Sequence, residues 1–166
     1  MREQGHTLIG LLLTLAIAST LVLIAHPSFS GVLERVHRQA SVDALYEALW
    51  FARSSAVTRQ ETVVMAARTD QWQAGWEIFL DSNGDGHRQR DERLLREKNA
   101  LPASLAITTN QGIGSAVYYR PDGHARKPGG ALQMGRFEIC VAGRAQTIIL
   151  NAFGRPRVDP VEPADC

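Results

Sequence analysis

Residues 7–25, TLIGLLLTLAIASTLVLIA, carry no charge, and the polar positions among them are only threonine, serine and glycine. At about 1.5 Å per residue this run makes a helix of roughly 28 Å, close to the hydrocarbon thickness of a bilayer. A secretory signal peptide needs a basic leader, an apolar stretch of about 7–15 residues and a small-residue cleavage site. Here only Met1-Arg2-Glu3-Gln4 precedes, the apolar run is longer, and His26-Pro27 follows in place of an Ala-x-Ala site. The pattern predicts a retained anchor. Pro27 lacks an N–H and is expected to kink the helix. Beyond Gly31 the apolar positions Leu33, Val36, Ala40, Leu45, Ala48, Leu49, Ala52 and Ala56 recur at three- and four-residue steps, with Arg and Glu between them. The expectation is one helix over 6–59, its first half spanning a membrane over about 7–25 and its second half amphipathic.

The period then changes from helical to β. ETVVMAA (61–67), GWEIFLD (75–81), RLLRE (93–97), SLAITT (104–109), AVYYR (116–120), RFEICVA (136–142) and QTIILNA (146–152) alternate or run apolar, with β-branched and aromatic residues. SNGDG, NQGIG, PDG, KPGG and AGR separate them with turn chemistry. Residues 60–166 therefore read as one β-rich head, an antiparallel sheet or sandwich packed on the amphipathic half of the helix. The fold class is α+β.

Composition adds little: the net charge is +1, which excludes a chain-wide electrostatic footprint. Cys140 and Cys166 both fall in the head. In an oxidising compartment a disulfide between them is the natural state, pinning the tail VDPVEPADC; the alternative is two unpaired thiols. Closing that loop would contribute about 3 kcal/mol. Neither cysteine has a second cysteine or a histidine at ligand spacing. No nucleophile–base motif, Walker motif or dinucleotide loop is present, so the reading is non-enzymatic.

The segment GHTLIGLLLTLAIA resembles the prepilin signature of type IV pilins and pseudopilins, a short polar leader ending in Gly before an apolar helix. ALWFARSSAVTRQETVVM, GWEIFLDSNGDG, ERLLR and NAFGRPR are similar to the FimT/GspH type of minor pilin and minor pseudopilin. The resemblance implies that residues 1–5 are a leader cut after Gly5 by a prepilin peptidase, leaving His6 N-methylated. It implies an inner-membrane subunit with a periplasmic head, extracellular once assembled. Its partners would be major and minor pilins, met through the N-terminal helix, and an inner-membrane assembly platform. Two positions depart from the pattern: His6 stands where Phe or Met is usual, and Gly10 where Glu is usual. The resemblance implies that this carboxylate meets the terminal amine of the subunit already in the fibre; its absence suits a place at the tip, or else neutral drift in a minor subunit held by helix packing.

Two constellations point to chemistry. DSNGDGHRQRDE (81–92) matches the calcium-loop pattern, with Asp81, Asn83, Asp85, the His87 carbonyl and Glu92 as oxygen donors. Strands flank it instead of helices, and Asn-Gly and Asp-Gly equally signal a hairpin turn without metal. The second is basic. Arg120, Arg126, Lys127, Arg136, Arg144, Arg155 and Arg157 face only Asp122 and Glu138 over residues 118–157. In an extended Gly154-Arg155-Pro156-Arg157 both guanidiniums project to one side, suiting successive phosphates. The G-R-x-R pattern resembles that of FimT-type pilins that capture DNA for transformation. Double-stranded DNA is then the expected ligand of Arg155, Arg157, Arg144, Arg136 and Lys127. The alternatives are a solvated arginine cluster or a pilin–pilin contact, and, for the chain as a whole, a type II secretion pseudopilin with protein partners and no DNA binding.

Overall fold

The computed structural model describes residues 8–165, without the side chains of residues 22–30. The leader 1–5, the cut between Gly5 and His6 and the thiol of Cys166 lie outside the described residues, while the helix continues through Pro27. The chain divides into two units, residues 1–36 and 37–166. Helix α1 runs Leu8–Arg59.

In the first unit the helix carries Leu8, Ile9, Leu11, Leu12, Leu13, Leu15, Ile17 and Leu21, every one more than half exposed. Among the described residues no helix is long and apolar enough to cross a membrane. Of the expected span 7–25, the side chains of residues 8–21 are described.

In the second unit the remainder of α1 buries one face. Val42, Leu45, Ala48, Leu49, Ala52 and Ala56 are each almost fully buried, at the steps that put them on one side of a 3.6-residue helix. The helix stops where Gln60 takes φ +57, the left-handed conformation that commonly ends a helix.

Among the described residues the head holds eight strands: β1 Val63–Ala67, β2 Trp76–Leu80, β3 Leu94–Lys98, β4 Ala106–Thr109, β5 Ala116–Tyr119, β6 Gly135–Val141, β7 Arg144–Leu150 and β8 Pro156–Pro163. They form two four-stranded sheets, ordered β3-β2-β1-β5 and β4-β6-β7-β8. Every pairing is antiparallel. One core cluster joins the buried helix face to both sheets through Val63, Met65, Ile78, Val117, Phe137, Ile139 and Ile148. Trp72 closes it, edge-on to Phe137 with ring centroids 4.9 Å apart.

Two features differ from the sequence reading. The tail from Pro156 to Pro163 is a strand, although its prolines argue against one. As the edge strand beside β7 it needs hydrogen bonds on one side only, which is where proline is tolerated. The same prolines blunt that edge against a further strand. The second difference is the segment 81–92, which is more than a tight turn. It folds back so that Gly86 lies on the Tyr118 ring. The face of the first sheet turned away from the main core thereby keeps Val64, Phe79 and Ala116 buried.

Candidate functional site

The arginines of the late basic run sit on separate surfaces. In the second sheet Arg136 of β6 and Arg157 of β8 are both in register with Ile149 of β7. Directly opposed residues share a face, so these two arginines flank Ile149 on one side, about 10 Å apart at their backbones. That face is not basic. Arg157 Nε lies 3.5 Å from the Asp159 carboxylate, and a depression there is lined by Arg136, Glu138, Asp159 and Glu162 among others. One arginine thus faces three carboxylates, two of which, Asp159 and Glu162, follow the stretch 118–157 over which the sequence looked basic. The exposed Arg157–Asp159 pair is worth no more than about 1 kcal/mol, but the acids set the local sign.

Arg144 pairs with Pro163, five residues along β7 from Ile149 and so roughly 17 Å away. Lys127 donates from Nζ to the Gln111 carbonyl at 3.2 Å, in a separate hairpin. Of the residues expected to contact DNA, Arg136 and Arg157 share one face, Arg144 lies farther along β7, and Lys127 sits in a separate hairpin. Strand register separates them.

Arg155 stands apart from this group. It closes a turn built on Asn151, whose Oδ1 accepts the N–H groups of Phe153 and Arg155 at 3.0 Å each. Gly154 in that turn has φ +71 and sits against the Gly123 carbonyl and Ala125 N. The turn 151–155 thereby docks on the hairpin turn 120–124, closed by Arg120 N–H to the His124 carbonyl at 3.0 Å. Asp122 accepts the His124 N–H at 2.9 Å, and that bond first, then the imidazole charge, holds its carboxyl below the usual range. Phe153, largely exposed, leans on the His124 ring at 5.7 Å between centroids. Arg53 of α1 donates from Nε to the Gly123 carbonyl at 3.0 Å and lies 5.5 Å over the Trp50 ring. Arg120 and Arg155 are exposed, and neither side chain has a charged partner among the described residues. Sequence spacing did not show that residues 53, 120 and 155 belong to neighbouring turns. Only the glycines at 123 and 154 hinted that backbones meet there.

The acidic loop is tied to itself. Asp81 accepts the N–H groups of Gly84 at 2.7 Å and Gly86 at 3.2 Å. Glu92 accepts those of Ser82 at 2.9 Å and Gln89 at 3.0 Å. Asn83 Oδ1 accepts the Asp85 N–H, and Asp85 accepts the His87 N–H and the Asn83 and Gln89 amides. The His87 N–H above all holds the Asp85 carboxyl below its ordinary range. Among the described residues no three His, Cys, Asp or Glu are grouped so as to hold a metal ion. The four side chains expected from sequence as calcium donors, Asp81, Asn83, Asp85 and Glu92, thus have oxygens engaged by the loop's own N–H groups. Burial, then Asp81 and Asp85, pushes the Tyr118 phenol up.

At the far end of the first sheet, Glu77 is shared between Arg88 Nε at 2.9 Å and Arg68 at 3.1 Å. Partial burial works to raise its carboxyl, yet the bonds and charges of Arg88 and then Arg68 lower it.

The family described as "Type II transport protein GspH" matches residues 41–154, so the match ends one residue before Arg155. Among curated proteins no sequence matches the chain. The type IV minor pilin FimU of Pseudomonas aeruginosa shares the fold, with TM-score 0.64 and 20% identity over 76% of this chain and 91% of that one. A second crystal form of FimU gives 0.59 and 19% over 74% and 92%. The minor pseudopilin EpsH of the Vibrio cholerae type 2 secretion system gives 0.54 and 11% over 74% and 95%.

Proposed function

From the chain's membership of the GspH family, to which it belongs by the match over residues 41–154, we propose that it is a minor subunit of a type IV pilus. It waits in the inner membrane with its head in the periplasm, then packs its N-terminal helix among those of other pilins. The observation that carries this is the unpartnered apolar helix. Eight large apolar side chains between Leu8 and Leu21 are more than half exposed, an arrangement that water does not favour and that lipid or neighbouring helices satisfy. A prepilin peptidase cuts after Gly5 and His6 becomes the methylated first residue. An assembly platform in the inner membrane supplies the work of extrusion. Gly10, in place of the usual carboxylate, supports a position at the tip. Mass spectrometry of the N-terminus in membrane extracts tests the maturation step. A chain beginning at N-methyl-His6 supports it, and one that keeps Met1 or loses the whole apolar run overturns it.

DNA capture is the second reading. Arg155 and Arg120, exposed and without acidic partners on adjoining turns, favour it; the acids around Arg136 and Arg157 oppose it. Binding would be to phosphates, without sequence choice and strongly dependent on salt. A secretion pseudopilin would carry the same fold and use this surface for a protein instead. Cys140 and Cys166 are proposed to pair outside the cytoplasm, in keeping with the absence of a free cysteine among the described residues. Resistance of both to alkylation before reduction is the expected result.

A further inference from the structure

Phe153 is 61% exposed, and every other phenylalanine, tyrosine and tryptophan whose side chain is described is buried or half-buried. A single exposed apolar side chain needs no explanation by itself. Its surroundings give it one. The Asn151 Oδ1 that accepts the Phe153 N–H also accepts that of Arg155, so one side chain sets the ring and the guanidinium in the same turn. Gly154 between them is buried, packed against the Gly123 carbonyl and the Tyr119 ring. On the docked turn 120–124 the one acid, Asp122, is engaged by His124, through its N–H at 2.9 Å and Nδ1 at 3.3 Å. Arg120 and Arg155 are left without an acidic partner among the described residues. Behind them Arg53 reaches the Gly123 carbonyl and covers the half-buried Trp50. The surface is therefore an exposed ring with two uncompensated cations on adjoining turns.

We infer that the DNA this surface takes is single-stranded, with a base stacking on Phe153 while Arg155 and Arg120 meet neighbouring phosphates. The inference rests on the DNA-capture reading above, and it names the form of DNA and the residue that selects it, in place of the duplex expected from sequence. An unpaired strand offers flat apolar base faces and a negative charge at every nucleotide, the two features that an aromatic ring among arginines matches. In a duplex the base faces are stacked inside and out of reach of the ring, so only the arginines would find partners. A protein pocket for Phe153 would have to be apolar in its floor and acidic at its rim. The phosphate contacts supply affinity and the ring supplies the preference for unpaired bases.

The test measures fluorescence anisotropy of the full chain in detergent against labelled probes of equal length: a thymidine strand, the same strand with abasic sugars, and a duplex. Wild type is expected to hold the thymidine strand about tenfold more tightly than the abasic strand. F153L should lose most of that preference and F153W keep it, with the abasic affinity unchanged in both. R155A should weaken binding to all the probes. Thermal midpoints of the Phe153 variants should match wild type, because the ring is exposed. F153L binding the thymidine strand as wild type does, or wild type holding the duplex or the abasic strand as tightly, overturns the inference and leaves the DNA reading intact. Loss of F153L from sheared fibres with its DNA binding unchanged assigns the ring to a protein contact and also overturns it. No binding of any probe by wild type overturns the DNA reading, and this inference with it.

Discussion

Gly154 rests against the carbonyl oxygen of Gly123: a Cβ on residue 154 would stand 2.5 Å from that oxygen and 3.0 Å from Cε1 of Tyr119. With φ +71 at the same residue, the glycine of Gly-Arg-Pro-Arg is explained by backbone packing and needs no ligand. Its effect is to lock the turn that presents Arg155. Gly154→Ala is expected to destabilise the protein by about 1–3 kcal/mol, whereas Arg155→Ala should stay within about 0.5 kcal/mol of wild type. Urea unfolding of the solubilised chain separates the two.

The split of the arginines makes DNA binding a matter of which guanidinium is free. Gel shifts at several salt concentrations should show Arg155→Ala and Arg120→Ala each lowering the salt slope by about 1, with Arg144→Ala close to wild type. Asp159→Asn relieves Arg157 of its 3.5 Å partner and should strengthen binding. Equal binding by wild type and the Arg120→Ala/Arg155→Ala double variant assigns these residues to another role.

Loop 81–92 should behave as structure without metal. Asp81→Asn or Glu92→Gln leaves buried N–H groups with weaker acceptors, an expected loss of about 1–3 kcal/mol. Thermal midpoints with millimolar calcium and with a chelator should coincide. A rise with calcium that Glu92→Gln abolishes restores the metal reading.

Acid sensitivity should trace in part to Glu77. Its folded carboxyl lies below the ordinary value of 4.5 because Arg88 and Arg68 outweigh the effect of burial. The unfolded chain therefore takes up the proton first as pH falls. The stability Glu77 contributes is complete well above pH 4.5 and is lost as pH drops through its folded value. Glu77→Gln should flatten that acid limb of stability and leave the alkaline side unchanged.

Much of this fold is written in periodicity. The step from apolar runs at three and four residues to alternating strands marks where α1 ends, near Arg59 and the left-handed Gln60. Strands rich in Val, Ile and Phe declare themselves one residue at a time. β8 does not, because Pro156, Pro160 and Pro163 lower its local β preference while the edge position tolerates them. The candidate site was less legible for the same reason. Charge counted along the chain summed arginines that strand register then placed on different surfaces, and it stopped short of Asp159 and Glu162. Arg53, seventy residues from Gly123, joins that turn only through the packing of α1. The loop 81–92 shows the limit of a motif: the oxygens that match a calcium pattern serve equally to cap their own backbone.

We propose that the exposed apolar helix is a packing element of a fibre. Fractionation of cells into sheared fibres, membranes and periplasm tests it most directly, with wild type set beside Leu12→Glu. Wild type is expected in membranes and, at low copy, in sheared fibres, with Leu12→Glu missing from the fibres. A wild-type chain found only in the soluble periplasm, or a Leu12→Glu variant that enters fibres as wild type does, contradicts it.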